Sequence, residues 1–224
     1  MRSGKFILDG SEVFIMPKSI LIPDKQVEVY HKVKDSKFYG NIKALDNRND
    51  VEQFITDIKE KYSDATHNVS AYKLKTNDNA ITYSDDDGEP AGSSGSPVLQ
   101  AIEGKQLTNT VIVITRYFGG TKLGIGGLIR AYGNTARLAI KKAGIKKLNL
   151  IYKIKAEGNY NLIGSIMGQI KSFSGKILDT DYNNTGGKIT FLLKPKYYKK
   201  LKETLVEITS DNIEIDKINQ LYVE

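Results

Sequence analysis

Residues 111–144 read VIVITRYFGGTKLGIGGLIRAYGNTARLAIKKAG, and this stretch decides the fold. Val111, Ile112, Val113, Ile114 and Thr115 are β-branched without a break, the composition of a strand buried on both faces. A turn with five glycines in nine residues follows, over 119–127. A helix then runs to about Ala143 and stops at Gly144. Leu128, Ala131, Tyr132, Thr135 and Ala139 share one side of that helix. Arg130, Asn134, Arg137 and Lys141 line the opposite side at steps of four, three and four. The polar stripe reads either as a solvated face or as a basic surface beside the glycine loop.

Upstream, Val27, Val29 and His31 alternate with polar residues, and 38–45 continues as a second strand. Asp50 opens a helix carrying Val51, Phe54, Ile55, Ile58 and Tyr62, and its spacing to Gln53 is that of a capping box. Residues 65–75 read as a strand and 76–95 as a long polar, glycine-rich loop. Ser96 and Pro97 fit the N-cap and first turn of a short helix with Val98, Leu99 and Ile102. Residues 1–25 show no periodicity and are read as an extension of unassigned role, with Met16 as a second candidate start.

Downstream, 148–157 reads as a strand, and Leu162, Ile163, Ile166, Met167, Ile170 and Phe173 mark a helix. Strands follow at 176–182 and 188–193, then a helix from Pro195 with Tyr198, Leu201, Leu205 and Ile208, then a strand at 213–223. This βαββαβ order is that of a ferredoxin-like domain. The expected class is therefore α+β with two domains, 26–146 and 147–224. Lys194, Lys196, Lys199, Lys200 and Lys202 crowd the start of the last helix, where the macrodipole disfavours cations. They mark either a site for an anionic partner or a solvated lysine-rich turn.

Composition removes several kinds of chemistry. Leu, Ile, Val and Phe make up about 28% of the 224 residues, enough for a packed core. There is no Cys, which excludes disulfides, thiolate nucleophiles and Cys-ligated metals. Two histidines are too few for a metal site built on three or more imidazoles. The longest aliphatic run, 111–114, is far short of the ~20 apolar residues that span a bilayer. The N-terminus lacks the apolar core of a signal peptide, so a cytoplasmic protein is expected. The net charge of +7 allows anionic partners without naming one.

Candidate chemistry lies between residues 65 and 132. Asp85, Asp86, Asp87, Gly88 and Glu89 precede Pro90. Clustered carboxylates hold Mg²⁺ or divide acid and base roles, which makes Asp86, Asp87 and Glu89 metal and catalytic candidates. Mg²⁺ is the only cofactor this composition suggests, and none is established by it. The same run also reads as an acidic turn capping backbone N–H groups, and its spacing is not that of an EF-hand. His67 is a candidate base or a hydrogen-bonded structural residue. Arg116, Gly119, Gly120, Lys122, Gly124, Gly126, Gly127 and Arg130 form a candidate anion site, where glycines and a helix N-terminus present N–H groups and the cations add charge. Neither a Walker A nor a Rossmann spacing is present, and a tight turn needing positive φ is the alternative reading.

These residues also carry a resemblance. Ala65-Thr66-His67-Asn68, Asp86-Asp87-Gly88-Glu89-Pro90, Thr115-Arg116-Tyr117-Phe118-Gly119-Gly120, Lys122-Leu123-Gly124, Gly126-Gly127-Leu128 and Arg130-Ala131-Tyr132 resemble, in order and spacing, the signature of the IMPACT/YigZ family. The match runs from about residue 26 to 145, and the C-terminal half is similar to the second domain of bacterial-type members. Ala91, Ser93 and Ser94 depart from the family's usual Ser, Thr and Ala. The resemblance implies an N-terminal domain similar to the second domain of ribosomal protein S-five, and a C-terminal domain similar to the ferredoxin-like domains of elongation factor G. It also implies a link to translational control, since eukaryotic members compete for the activator of the starvation-responsive kinase of initiation factor two.

Two functional expectations follow. One is a non-enzymatic protein that binds RNA, the ribosome or a translation factor through Arg130, Arg137 and Lys141 and through Lys194, Lys196, Lys199 and Lys200. The other is an enzyme acting on a phosphorylated or anionic small molecule, held by Lys122 and the glycine loop and worked on by Asp86, Asp87 and Glu89. The binder is favoured because no nucleophile or base is clearly designated. No membrane association and no DNA-specific motif is read from the chain.

Overall fold

The computed structural model describes residues 17–75 and 79–224, together with the backbone of two short strands, β1 (Lys5–Leu8) and β2 (Ser11–Phe14), which pair antiparallel. Two compact units divide the chain, one holding Ile20–Lys147 and the other holding Leu148–Glu224 with Pro17–Ser19.

The first unit contains β3 (Ser19–Pro23, whose first residue belongs to the second unit), β4 (Val27–Val33), β5 (Ser36–Ala44), α1 (Arg48–Lys61), β6 (His67–Lys75), β7 (Ala80–Asp85), α2 (Gly95–Gly104), β8 (Thr110–Tyr117) and α3 (Ile125–Ala143). Five strands form an antiparallel sheet in the order β4-β5-β8-β6-β7. β8 lies at its centre and is buried at every position but the last, as its β-branched run implies. Alternation sends Ile112 and Ile114 to one face, where they meet Phe38, Ile102, Leu128 and Tyr132 beneath α2 and α3. Val111 and Val113 go to the other face, against Val51, Phe54 and Ile58 of α1.

Several boundaries differ from the sequence reading. α1 starts at Arg48, because Asn47 is its N-cap: Oδ1 accepts from the Asp50 N–H at 2.9 Å and Nδ2 donates to Asp50 Oδ2 at 2.6 Å. Part of the expected loop 76–95 is the edge strand β7. Among the described residues it pairs only with β6, and it is exposed along nearly its whole length, so burial leaves little pattern in its sequence. Residues 19–23 form β3, in which Ile20 and Ile22 are buried, although they lie in the segment read as an extension. The expectations for residues 1–16 fall outside the described side chains.

The second unit has β9 (Ile145–Asn159, which begins in the first unit), α4 (Tyr160–Ser172), β10 (Lys176–Tyr182), β11 (Gly186–Leu193), α5 (Pro195–Ile208) and β12 (Ile213–Val223). The antiparallel order β10-β11-β9-β12 is the ferredoxin-like one. Ile154, Ala156, Ile189 and Phe191 face Ile163, Ile166, Ile170, Leu201 and Leu205 of the two helices. The opposite face of the sheet mixes charges: Lys155 lies 2.8 Å from Glu157 and 3.9 Å from Asp216. Among the described residues, no helix is long and apolar enough to cross a membrane.

Candidate functional site

The acidic segment between β7 and α2 spreads its carboxylates in three directions. Asp86 caps α2. Its Oδ1 accepts from the N–H groups of Ser94 (3.0 Å) and Gly95 (2.8 Å) and from Ser94 Oγ (2.5 Å), while Oδ2 accepts from the Gly92 N–H (2.7 Å). The N-cap residue Ser94 makes no side-chain cap of its own, so Asp86 supplies it from eight residues upstream. Burial works to raise the Asp86 pKa, but these hydrogen bonds outweigh it and hold the carboxyl below its ordinary value.

Asp87 takes positive φ, as does Gly88, so the chain turns sharply and the next side chain points elsewhere. Asp87 Oδ2 accepts from the Asn68 N–H at 2.7 Å, and Oδ1 meets Lys59 Nζ of α1 at 2.9 Å. These contacts overcome the opposing effect of burial and lower its pKa. The carbonyl oxygen of Asp87 lies 2.8 Å from His67 Nδ1. A carbonyl only accepts, so Nδ1 carries the proton and the lone pair of a neutral His67 sits on Nε2. That nitrogen is 3.8 Å from Glu89 Oε1.

Glu89 turns inward. Its Oε1 accepts from Arg116 Nη1 at 2.6 Å and from the Tyr132 hydroxyl at 2.7 Å, and all three side chains are buried. Arg116 Nη2 reaches Ser36 Oγ at 3.3 Å, and its guanidinium lies 5.6 and 5.4 Å from the Phe38 and Phe118 ring centroids. Arg116 Nε is buried without a partner. Burial, then the charge of Glu89, pushes the Tyr132 phenol above its ordinary pKa.

This geometry corrects two expectations. Asp86, Asp87 and Glu89 do not converge: both oxygens of Asp86 and of Asp87, and Oε1 of Glu89, are engaged by separate protein donors, and no group of three potential ligands gathers among the described residues. The set therefore does not fit a shared Mg²⁺ or a paired acid and base. Arg116 does not join the glycine loop as an anion ligand either: the pleat of β8 sends its side chain into the interior, where Glu89 holds it.

What remains of the candidate anion site is exposed. Gly119 packs so closely on the β4–β5 turn that a Cβ there would lie 2.1 Å from the Asp35 carbonyl carbon. Gly120 and Gly124 take φ of +88° and +70°, which only glycine adopts readily. Lys122 lies on this loop and is exposed, as is most of it. α3 then starts with no side-chain cap and no acidic residue in its first turn. The Arg130 guanidinium folds back over that turn, with Nη1 at 3.5 Å from the position of a Cβ on Gly126. Gly127 lies in the same turn. Arg130, Arg137 and Lys141 are all exposed on α3. Arg137 Nη2 donates to Asn134 Oδ1 at 2.5 Å, and none of the three pairs with a carboxylate among the described residues. In the second unit, Lys194, Lys196, Lys199, Lys200 and Lys202 are exposed around the first half of α5, with Lys199 4.0 Å from Glu203.

The sequence places Tyr132 on the apolar stripe and in the family motif but gives it no role in the site, and it marks neither Ser36 nor Lys59. The signal for Tyr132 is a tyrosine on the apolar stripe of a helix, since a buried hydroxyl there needs a partner.

The model of the Impact N-terminal domain matches residues 34–140. The chain is 31% identical over 192 residues to IMPACT family member YvyE of Bacillus subtilis, covering 86% of this chain and 88% of that protein. It is 29% identical over 167 residues to IMPACT family member YigZ of Escherichia coli, covering 74% and 81%. A crystal structure described as that of a hypothetical protein matches with a TM-score of 0.67 at 25% identity, over 91% of this chain and 99% of the other.

Proposed function

This chain belongs to the IMPACT family, and from that premise we propose that it is a non-enzymatic, cytoplasmic, translation-linked regulator that binds folded RNA, free or within the ribosome. The observation that carries the reading is the row of exposed cations on α3. Arg130, Arg137 and Lys141 have no carboxylate partner among the described residues, so their charge is available to phosphates. Lys122 and the uncapped start of α3 extend the same cationic region. The lysines of α5 are a further phosphate-binding surface in the second unit. On this reading the acidic segment has a supporting role: its carboxylates clamp α2, β6 and β8 and so hold the frame on which α3 is presented.

Fluorescence anisotropy with a labelled RNA hairpin over a range of salt tests this. Binding weakens steeply as salt rises, because bound cations release condensed counterions. The triple replacement Arg130→Ala, Arg137→Ala and Lys141→Ala lowers the log–log salt slope by about 2 to 3 and weakens binding about 10- to 100-fold at moderate salt. An unchanged slope removes this face from the proposal.

An enzyme acting on a phosphorylated small molecule is the second reading. It draws on Lys122, Arg130 and the free amides of α3, but the carboxylates it needs are engaged elsewhere, which places it behind the binder.

A further inference from the structure

β4 is an end strand of its sheet, and among the described residues its only ladder is with β5. Lys142 Nζ of α3 donates to the Glu28 carbonyl oxygen at 2.9 Å. That carbonyl therefore looks away from β5 and toward α3. In an antiparallel strand the backbone groups of alternate residues point the same way. The N–H and C=O of Tyr30 and Lys32 thus face the same open side as those of Glu28.

Beside this edge lies a groove of about 390 Å³ lined by Val29, Tyr30, Leu138, Lys141 and Lys142. Val29 is a buried apolar wall, Leu138 is 41% exposed, and the two lysines form a cationic rim. The ladder between β4 and β5 runs without a bulge from Val27 to Val33, and the strand has no proline. Two of the devices that commonly block an edge are therefore missing. An edge strand next to a helix, with an apolar wall and, among the described residues, main-chain groups of Tyr30 and Lys32 that no neighbouring strand pairs, is the arrangement used in recognition by strand addition.

We propose that the groove between β4 and α3 binds an extended acidic peptide segment, which pairs as an added strand at Tyr30 and Lys32 and takes Lys142 from the Glu28 carbonyl to one of its own carboxylates. Its alternate side chains face opposite sides of the extended sheet. An aliphatic side chain on the α3 side packs on Val29 and Leu138, and flanking carboxylates meet Lys141 and Lys142. Charge complementarity selects an acidic segment. A phosphodiester chain offers no alternating N–H and C=O groups for the β4 edge, so a nucleic acid is the less suitable occupant. The proposal does not rest on RNA binding, which uses Arg130 and Arg137; only Lys141 is common to both.

The test is a titration of the ¹⁵N-labelled full chain with the capped peptide Asp-Ile-Thr-Val-Thr-Ile-Glu, followed by NMR. Saturable shifts are expected at Tyr30 and Lys32 and along the last turns of α3, with slowed amide exchange at the two β4 positions. Two altered probes need no change to the protein: the peptide with Lys at both ends, and the peptide N-methylated at alternate residues. Each binds at least about tenfold more weakly if charge and main-chain pairing both contribute. Lys142→Glu and Leu138→Glu, both at exposed positions, weaken the acidic peptide by about the same factor, whereas Arg130→Ala leaves it unchanged. Absence of saturable binding, shifts confined to other surfaces, or equal binding of either altered peptide overturns the proposal. None of these results bears on the RNA salt slope, so the two readings fail separately.

Discussion

Replacing Glu89 with Ala lowers the unfolding free energy of the first unit by about 3–5 kcal/mol, the usual cost of removing one partner from a buried ion pair. The reason is the state left behind. Arg116 is 5% exposed, and Glu89 is its only carboxylate partner among the described residues. Its remaining hydrogen bond, to Ser36 Oγ at 3.3 Å, is long, and Nε has no partner. The Tyr132 hydroxyl also loses its acceptor in the interior. Glu89→Gln tests the charge apart from the shape, since it keeps an acceptor for Tyr132 while leaving the guanidinium uncompensated. The double replacement Glu89→Leu with Arg116→Met removes both charges and restores the part of the stability lost to the uncompensated guanidinium, while the Tyr132 hydroxyl still lacks its acceptor. Residue-resolved hydrogen exchange of β8 and β6 amides under increasing urea measures the first unit without requiring the whole chain to unfold as one. A loss below about 1 kcal/mol for Glu89→Ala would show that water or another acceptor reaches Arg116 readily.

Asp86→Ala is the second large effect, a loss of about 2–4 kcal/mol. The change removes four accepted hydrogen bonds, three of them from backbone N–H groups at or before the start of α2. The same contacts set a pH dependence. Asp86 and Asp87 both have folded pKa values below the ordinary 3.8. Depressed carboxyls bind fewer protons in the folded chain than in the unfolded one, so stability rises with pH across that interval. Their contribution is complete above about pH 5 and is lost as pH falls through 3.8 toward the lower folded values. Urea unfolding at a series of acidic pH values should show this decline, and Asp86→Asn should flatten it while lowering stability at neutral pH. A parent and an Asp86→Asn variant with parallel acid limbs would remove Asp86 from this account.

The elements whose burial repeats along the chain were legible before the structure. The β-branched run at 111–115 is the central strand, and the apolar stripe of Leu128, Ala131, Tyr132, Thr135 and Ala139 is the face of α3 that packs on the sheet. The βαββαβ order after residue 147 stands as the ferredoxin-like second unit, because each element there buries one face and so keeps its period. β7 was hidden for the opposite reason: an edge strand exposed on both faces has no burial to impose alternation. The true start of α2 was hidden as well, since its cap is Asp86, eight residues before Ser94 and brought close only by the turn through Asp87 and Gly88.

The candidate site divides along the same line. The amino-acid sequence by itself determined the α+β class, the strand–glycine turn–helix and the polar stripe on α3, because each depends on local periodicity or on backbone freedom at glycine, and its quoted motifs carried the resemblance to the family. The destinations of the charged side chains were decided only by the tertiary structure. Asp86, Asp87 and Glu89 are near neighbours in the chain, yet they serve a helix end, a strand amide with a lysine, and a buried arginine. Arg116 reads like a ligand beside the glycines, and the pleat of β8 turns it inward instead. Proximity along a chain fixes neither direction nor partner; a carboxylate or guanidinium goes where the packed elements leave a complementary group, and that is known only once the sheet and helices have met.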